Sequence, residues 1–254
     1  MDPATIIGLG IAIAAILGAI ILEGSSPMSV VLIPPILLVV VGTIGATLAG
    51  IRMADLPIVI AGLVKALTGK AVNASATIDT VVSLAERARR EGLLALEDAA
   101  REVDDVFLRD GLQSAIDGTD PEDLREMLLA KIDAKRSTDK VASGFFATMG
   151  GYAPTVGIIG TVVSLVHVLE NLSKPEELGH LIAAALVATF WGLLTANVVY
   201  LPISSRLKRL SETECAQMEL VVEGLMAVQA GSNPRLVAQK LRSLVPPEPA
   251  KKAA

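Results

Sequence analysis

The stretch VASGFFATMGGYAPTVGIIGTVVSLVHVL, residues 141–169, contains no Asp, Glu, Lys or Arg and therefore predicts a helix that spans a membrane. Three further stretches share this property, namely residues 3–22, 24–51 and 178–205. A helix needs about 20 apolar residues to cross the hydrocarbon core of a bilayer, and each stretch is long enough. The sequence therefore predicts an all-α membrane protein with four transmembrane helices. The first stretch has no basic region before it, so we expect a retained helix rather than a cleaved signal.

The composition agrees with a membrane protein and excludes several other classes. The chain has 254 residues, of which 52% are hydrophobic and only 3% are aromatic. Soluble domains are less apolar than this. The net charge of -5 does not suggest a nucleic-acid partner, which usually requires a basic surface. One cysteine and two histidines, with no recognisable catalytic motif, lead us to expect no enzyme activity, no metal and no cofactor.

The distribution of basic residues predicts the orientation in the membrane. Every Lys and Arg except Lys174 lies either between Arg52 and Lys140 or from Arg206 onward. Loops rich in these residues stay in the cytoplasm. We therefore expect a multi-pass protein with both termini cytoplasmic and two short external turns.

The predicted domains follow from this topology. Residues 1–51 hold transmembrane helices 1 and 2, and residues 52–140 form a cytoplasmic helical domain. Residues 141–205 hold transmembrane helices 3 and 4, and residues 206–254 form cytoplasmic helices with a tail. The tail, 246–254, is mostly Pro, Ala and Lys, which predicts disorder.

Several helices are predicted in the charged segments. An apolar stripe at helical spacing runs through residues 78–106, and Asp120 with Pro121 marks the start of a further helix. A helix over 207–230 is followed by a short one that Asn233 and Pro234 begin. Residues 56–67 fit either a helix along the membrane surface or a packed cytoplasmic helix.

The four uncharged stretches lack the groups that ion carriers use. A carrier usually has a carboxylate or histidine within the membrane. Here His167 and His180 lie near the external ends, where we expect interfacial, structural roles. If the protein handles protons or sodium, the titrating group must therefore come from a partner.

The last two stretches contain small and polar residues that have two interpretations. Their glycines and alanines favour close helix packing. Thr161 and Thr189 bring hydroxyls, and Pro154 and Pro202 remove backbone donors. Transmembrane helices tolerate such residues without any function, so spacing alone leaves both interpretations open.

Three separated blocks of the chain resemble the MotA/PomA family of flagellar stator subunits. The first is APTVGIIGTVVSLVHVL at 153–169, followed by ENLSKPEELGHLIAAALVATFWGLLTANVVYLPIS at 170–204. The others are ERARREGLLALED at 86–98 and EGLMAVQAGSNPRLVAQKLRSLV at 223–245. The resemblance covers nearly the whole chain in the expected order of spans.

The resemblance implies a mechanism. Subunits of this family form a ring, implied to be a pentamer, in the bacterial inner membrane around two MotB-like partners. Each partner has a single span, binds peptidoglycan and supplies the ion-binding Asp. The coupling ion, H+ or Na+, turns the ring within the membrane lipid, and the cytoplasmic domains push the rotor switch protein FliG.

The resemblance also assigns residues. Arg89 and Glu97 resemble the charged pair that contacts the rotor, with Arg90 and Asp98 as neighbouring candidates. Their eight-residue separation would place Arg89 and Glu97 roughly on one helix face, about 12 Å apart by helical rise.

Two pairs of membrane residues match the family pattern as well. Pro154 and Pro202 resemble prolines that couple ion state to domain motion, and Thr161 and Thr189 resemble hydroxyls along the ion path. Thr161 fits the sodium-type pattern, but Ala188 departs from it, so the coupling ion stays open.

The sequence leaves other functions open. The main alternative is an ExbB/TolQ-like proton-channel subunit that energises envelope transport, although such subunits have three spans and an external N-terminus. A structural scaffold or a self-contained transporter is a different class, but a transporter should carry its own buried ionisable site.

Overall fold

The computed structural model describes residues 3–69 and 73–245, and over these ranges the chain is helical and contains no strand. This confirms the predicted all-α fold. The described residues form ten α-helices: α1 Pro3–Leu22, α2 Ile33–Leu48, α3 Leu56–Thr68, α4 Ala74–Glu91, α5 Glu97–Glu102, α6 Val106–Ile116, α7 Pro121–Glu170, α8 Pro175–Leu194, α9 Leu201–Gln229 and α10 Pro234–Ser243. The predicted tail, 246–254, lies outside the described residues.

Side-chain caps explain where two of the predicted helices begin. The Asp120 carboxylate accepts a hydrogen bond of 2.9 Å from the backbone N–H of Glu122, and α7 starts at Pro121. Asn233 accepts one of 3.0 Å from the N–H of Arg235, and α10 starts at Pro234. These caps satisfy N–H groups that the first helical turn leaves without partners. Both predicted helix starts are confirmed.

The apolar stripe through residues 78–106 does not form one helix. Helix α4 ends at Glu91, and Gly92 adopts φ 84° and ψ 167° before a short 3-10 turn over Leu93–Leu96. This backbone conformation is essentially limited to glycine, since a Cβ would clash there. Helix α5 then starts at Glu97. The expectation that Arg89 and Glu97 share one helix face was therefore wrong.

The chain packs into two compact units. The first comprises Met1–Lys70 and Thr138–Arg209, and the second comprises Ala71–Ser137 and Leu210–Ala254. All four uncharged stretches belong to the first unit. Residues 52–70 pack with that unit as well. The predicted domains were drawn from membrane topology and stay a prediction; they are 1–51, 52–140, 141–205 and 206–254.

Two helices are long and apolar enough to cross a membrane by themselves. They are Pro121–Glu170 and the continuous run Pro175–Gln229. Helices α2 and α3 pass the same test only as a pair bent by 111°, and α1 is apolar over Ile7–Leu22. The four spans therefore stay a prediction, of which two have the required length and composition.

Helix α3 packs by one face onto the first unit. Its buried Val59 and Ala66 join a cluster with Phe146 of α7 and Leu207 of α9. Gly62 permits the close approach, because a Cβ there would lie 2.5 Å from the Cβ of Ala142. The opposite face of α3 exposes apolar side chains: Ile60, Leu63, Val64 and Leu67.

The second unit has its own apolar core. Helices α4, α6, α7, α9 and α10 contribute side chains that are almost completely buried: Val81, Leu112, Leu124, Leu128, Val221, Leu225 and Leu241. Burial of a leucine or valine stabilises a fold by about 2 kcal/mol. This core supports the segment that carries Arg89, Arg90, Glu97 and Asp98.

Candidate functional site

Helices α7 and α8 approach each other closely through glycines. A Cβ placed on Gly192 would lie 2.6 Å from the carbonyl oxygen of Ala153, and one on Gly157 would lie 2.9 Å from that of Ala188. Both glycines are buried. Small residues allow membrane helices to pack backbone against backbone in this way. The predicted close packing is confirmed at Gly157 and Gly160, whereas Gly151 is exposed with open space beside it.

Thr161 and Thr189 meet in this contact between α7 and α8. Their hydroxyl oxygens are 2.5 Å apart. The Thr161 oxygen also lies 3.2 Å from the carbonyl oxygen of Gly157 and 3.1 Å from that of Ala185. A hydroxyl has one hydrogen to donate, so Thr161 satisfies only one of these oxygens at a time. The two threonines thus form a half-buried cluster of oxygens rather than two separate hydroxyls.

A groove of about 440 Å³ lies beside this cluster, between α2, α7 and α8. Gly160 and Ala188 form part of its wall, and His167 and His180 line it farther along. Both histidines are exposed, and His167 Nδ1 lies 3.5 Å from Glu170. The histidines therefore share one groove, which their separation in sequence did not predict.

The two prolines occupy different surroundings. Pro154 lies within α7, and its Cα would be 3.3 Å from a Cβ on Gly192. Pro202 follows a π-helical segment, Thr195–Tyr200. Within that segment, Thr195 and Asn197 donate hydrogen bonds of 2.8 and 2.9 Å to carbonyls one turn earlier. Such widened turns occur mostly as local irregularities inside α-helices, and they are frequent at functional sites.

The charged candidates lie on both sides of Gly92. Arg89 and Arg90 are in the last turn of α4, and Glu97 and Asp98 are in the first turn of α5. These positions suit the helix dipoles, because cations are favoured at C-termini and anions at N-termini. All four side chains are exposed. Glu97 pairs with Arg101 at 2.9 Å and Arg90 with Glu86 at 4.0 Å, and both pairs are too exposed to contribute much stability.

Sequence patterns did not predict a further set of contacts in the first unit, which Arg206 makes. In the sequence, Arg206 only marks the start of the last basic region. Its guanidinium donates to the carbonyls of Ala66 at 2.5 Å and Gly69 at 3.1 Å, and to the hydroxyl of Thr5 at 2.8 Å. Arg206 thus holds the end of α3 and the start of α1 together. No local pattern around Arg206 could reveal partners so far away in sequence.

Glu223, in the second unit, is a carboxylate with a perturbed pKa. Glu223 of α9 accepts hydrogen bonds from Arg125 of α7 at 2.6 Å and from Lys240 of α10 at 2.7 Å. The bond from Lys240 lowers the pKa of Glu223 below its ordinary value, although burial acts in the opposite direction. Glu223 therefore connects three helices of this unit through its ionised form.

Comparisons with known proteins agree on one family of membrane proteins. The model of the MotA/TolQ/ExbB proton channel family matches residues 99–220. Motility protein A of Bacillus subtilis is 34% identical over 250 residues, which span 97% of this chain and 92% of that protein.

Two solved structures have the same fold. The flagellar MotAB stator complex from Bacillus subtilis gives a TM-score of 0.86 at 34% identity, with 95% of each chain covered. The C. jejuni MotAB structure gives 0.94 at 25% identity, and covers 100% of this chain and 99% of that one. Because the C. jejuni match covers the whole chain, the likeness includes α1 and α2 as well as α7 and α8.

Proposed function

Because this chain belongs to the MotA/PomA family of flagellar motor stator subunits, we propose that it acts with a MotB-like partner to convert ion flow across the bacterial inner membrane into torque. The whole-chain likeness to stator subunits carries this proposal. Moving one charge through a potential of 100 mV releases about 2.3 kcal/mol, so several ions per step supply useful work.

The chemistry of the spans supports a division of labour between two proteins. No Asp or Glu occurs in residues 3–22, 24–51, 141–169 or 178–205. The partner, a single-span protein bound to peptidoglycan, would supply the acid that the ion titrates. The subunit described here would surround that acid with closely packed helices, of which α7 and α8 carry the Thr161 and Thr189 hydroxyls.

We propose four spans, with both termini in the cytoplasm and the subunits arranged as a pentameric ring. The positions of the Lys and Arg residues support this orientation. The bend of 111° between α2 and α3, with the exposed apolar face of α3, supports placing α3 along the inner membrane surface. Lys65 of α3 also forms an ion pair with Asp139 of α7 at 3.6 Å, and this pair connects α3 to the rest of the first unit.

Contact with the rotor would use the exposed charges around Gly92. Arg89 and Arg90 offer two cations, and Glu97 and Asp98 offer two anions, on the neighbouring ends of α4 and α5. A rotor surface such as that of FliG, with charges of both signs, would meet complementary groups here. Exposed charges of this kind steer association and set register more than they add affinity.

The coupling ion is H+ or Na+. The cluster of four oxygens, from Thr161, Thr189 and the carbonyls of Gly157 and Ala185, favours a sodium pathway, because sodium binds oxygen ligands whereas a proton needs only a titratable partner. Ala188 lies in the same contact and brings no further hydroxyl. The oxygen cluster therefore supports sodium as the coupling ion, although Ala188 replaces the second threonine that the sodium pattern often has.

The proposal is tested by producing this chain alone and together with its partner in inverted membrane vesicles. Acidification or sodium uptake should require both proteins, and should vanish when the partner's membrane Asp is replaced by Asn. Flux through this chain alone would refute the proposal. In a host that lacks its own stator subunits, swimming should likewise require both genes.

The ExbB/TolQ alternative predicts a different topology. If the chain has the proposed stator orientation, a single cysteine introduced at Ser25, in the turn after α1, should react with an impermeant thiol reagent from outside the cell. Cys215 is buried and is first replaced by Ser to leave a clean background. Labelling of a cysteine near the N-terminus from outside would favour the alternative and remove the stator orientation.

A further inference from the structure

The helical run from Pro175 to Gln229 contains a local irregularity inside the first unit. Between α8 and α9 lies the π-helical segment, Thr195–Tyr200, and directly after it the backbone N–H of Leu201 donates to the carbonyl of Ala196, five residues earlier. An α-helix makes this bond to the residue four positions earlier, so the segment holds one extra residue in its turn. The extra residue changes the direction in which the following side chains point.

Contacts with α7 show the size of this change. Gly192 of α8 lies against Gly157, and Ser204 of α9 donates a hydrogen bond of 2.7 Å to the carbonyl of Ser143. Ser204 follows Gly192 by twelve residues, which in an unbroken α-helix amounts to three turns and about 120°. Ser204 would then point away from α7. One extra residue removes about 100° of this difference, so the same run meets α7 both before and after the segment.

These two contacts do not themselves require an extra residue. A regular helix that was one residue shorter would place Gly192 and Ser204 on α7 equally well, because eleven residues leave a difference of only about 20°. π-Helical turns are rare, and they are frequent at functional sites. The extra residue therefore points to a use other than packing.

The backbone hydrogen bonds of the segment can be exchanged with little loss. Pro202 has no backbone N–H, so it makes neither the α-type bond to the Val198 carbonyl nor the π-type bond to the Asn197 carbonyl. Thr195 and Asn197 each donate a side-chain hydrogen bond, of 2.8 and 2.9 Å, to a carbonyl one turn earlier. These side chains keep two carbonyls satisfied while the backbone bonds of the turn change.

Open space borders the segment on one side. A groove of about 430 Å³ is lined by Asn197, Val198 and Pro202 on one wall and by residues of α1, among them Gly8, on the other. Gly8 has no other atom within 4 Å of the position of a Cβ. Side chains of the segment can therefore change direction without a clash with α1 at this point.

We propose that the π-helical segment is a joint that converts between a π turn and an α turn, and that this conversion rotates the start of α9 by up to about 100° relative to α8. In the π state Ser204 bonds to Ser143, and in the α state this bond is broken. Gly192 and the Thr161 and Thr189 cluster keep their contacts in both states. This proposal rests on the proposed function, since the joint would carry a change at that cluster into α9.

Deletion of Val199, which is exposed, tests the joint in the complex of this chain with its partner. The deletion removes the extra residue, so the run becomes a regular helix that keeps both contacts with α7. We expect normal membrane abundance and unchanged ion flux in vesicles, but loss of swimming. Normal swimming would overturn the inference. Loss of the complex from the membrane would overturn it too, because the packing would then need the extra residue.

The two states are measured directly as a distance between spin labels. Leu193→Cys and Ser205→Cys place labels at exposed positions on either side of the joint, in a Cys215→Ser background. In complexes that contain few labelled subunits, double electron–electron resonance should give two distances for the full-length segment and one after deletion of Val199. A single distance shared by both proteins would overturn the inference. Absence of ion flux in the wild-type complex would instead contradict the proposed function, and the distances would still test the joint.

Two controls establish that the length of the segment is what matters. Insertion of an alanine after Tyr200 in the Val199 deletion restores the number of residues, and it should restore swimming and the second distance. If it does not, the side chain of Val199 caused the loss and the inference is wrong. Deletion of Leu186, also exposed, shortens α8 within its contact with Thr161 and should remove the complex from the membrane. If that deletion is tolerated, helix phase does not govern these contacts and the inference is likewise wrong.

Discussion

Gly192 lies against Gly157 so closely that a methyl group on Gly192 would come within 3.2 Å of the Cα of Gly157. The same methyl group would lie 2.6 Å from the carbonyl oxygen of Ala153. The helices α7 and α8 therefore touch by their backbones at this point. Any side chain at Gly192 must separate the two helices. The Thr161 and Thr189 cluster lies about one helical turn from this contact.

Gly192→Ala should therefore weaken the complex and motility together. Overpacking against backbone, which has no rotamer to change, costs about 2 kcal/mol. We expect lower membrane abundance and a lower unfolding temperature of the purified complex. Gly151→Ala in α7 is the control, because a Cβ there meets nothing within 4 Å. Equal effects of the two changes would mean that the close contact has no special role.

Thr161→Ala should alter ion dependence and leave assembly intact. The change removes one of the two hydroxyls that lie 2.5 Å apart. Loss of one neutral hydrogen-bonding group costs about 1 kcal/mol, which corresponds to about fivefold weaker ion binding. Swimming speed is measured in sodium-rich and sodium-poor media. Thr161→Ser keeps the hydroxyl and serves as the control, and identical behaviour of all three proteins would show that the hydroxyl only bonds backbone.

Arg89→Glu and Glu97→Lys should each weaken rotor coupling without loss of the complex from the membrane. Both side chains are exposed at helix ends, so reversal of their charge changes the outer surface and little of the core. We expect a reduced stall torque in a tethered-bead assay at normal abundance. Arg235→Glu and Glu126→Lys reverse exposed charges elsewhere in the second unit and should have no such effect. Loss of abundance in the first two variants would assign the pair a structural role.

Glu223→Gln should destabilise α10 near neutral pH. The pKa of Glu223 is lowered, chiefly by the hydrogen bond from Lys240, so its ionised form stabilises the fold above the ordinary carboxyl pKa. That contribution is lost as the pH falls through the lowered value. Because Arg125 and Lys240 are about half exposed, we expect an effect of only about 1 kcal/mol.

Hydrogen exchange of residues 234–243 provides the measurement. The variant should exchange faster than the wild type at about pH 7, and the difference should shrink at about pH 4. Glu219 of the same helix makes a more exposed pair with Arg136, so Glu219→Gln should change the exchange less. A difference that grows in acid would contradict the assigned sign.

Local signals in the sequence predicted much of the fold. The absence of charge over 3–22 gives the bounds of α1, and the Asp120 and Asn233 caps give the starts of α7 and α10. These features depend on a few neighbouring residues. The small residues Gly157 and Gly160 also indicated the close packing, although Gly192 in the facing helix was not singled out.

Other features depend on contacts or dihedral angles that sequence patterns do not encode. The break at Gly92 lies within an apolar stripe of helical period, and a glycine inside such a stripe is often tolerated. The contacts of Arg206 with Thr5, Ala66 and Gly69 join residues more than a hundred positions apart. The roles of Arg89, Glu97, Thr161 and Thr189 came from family resemblance, and they stay predictions.

The positive φ at Gly92 has a consequence for how stators and rotors are matched. Since the cations precede this residue and the anions follow it, the spacing between the two groups is set by one pair of backbone angles rather than by helical rise. Lengthening α4 by a residue would rotate Arg89 and Arg90 about its axis while leaving Glu97 and Asp98 with α5. Chimeric stators that must drive a foreign motor should therefore exchange residues 86–98 as one segment that includes Gly92. A charge exchanged alone would take the spacing and orientation that the backbone of the host protein gives it.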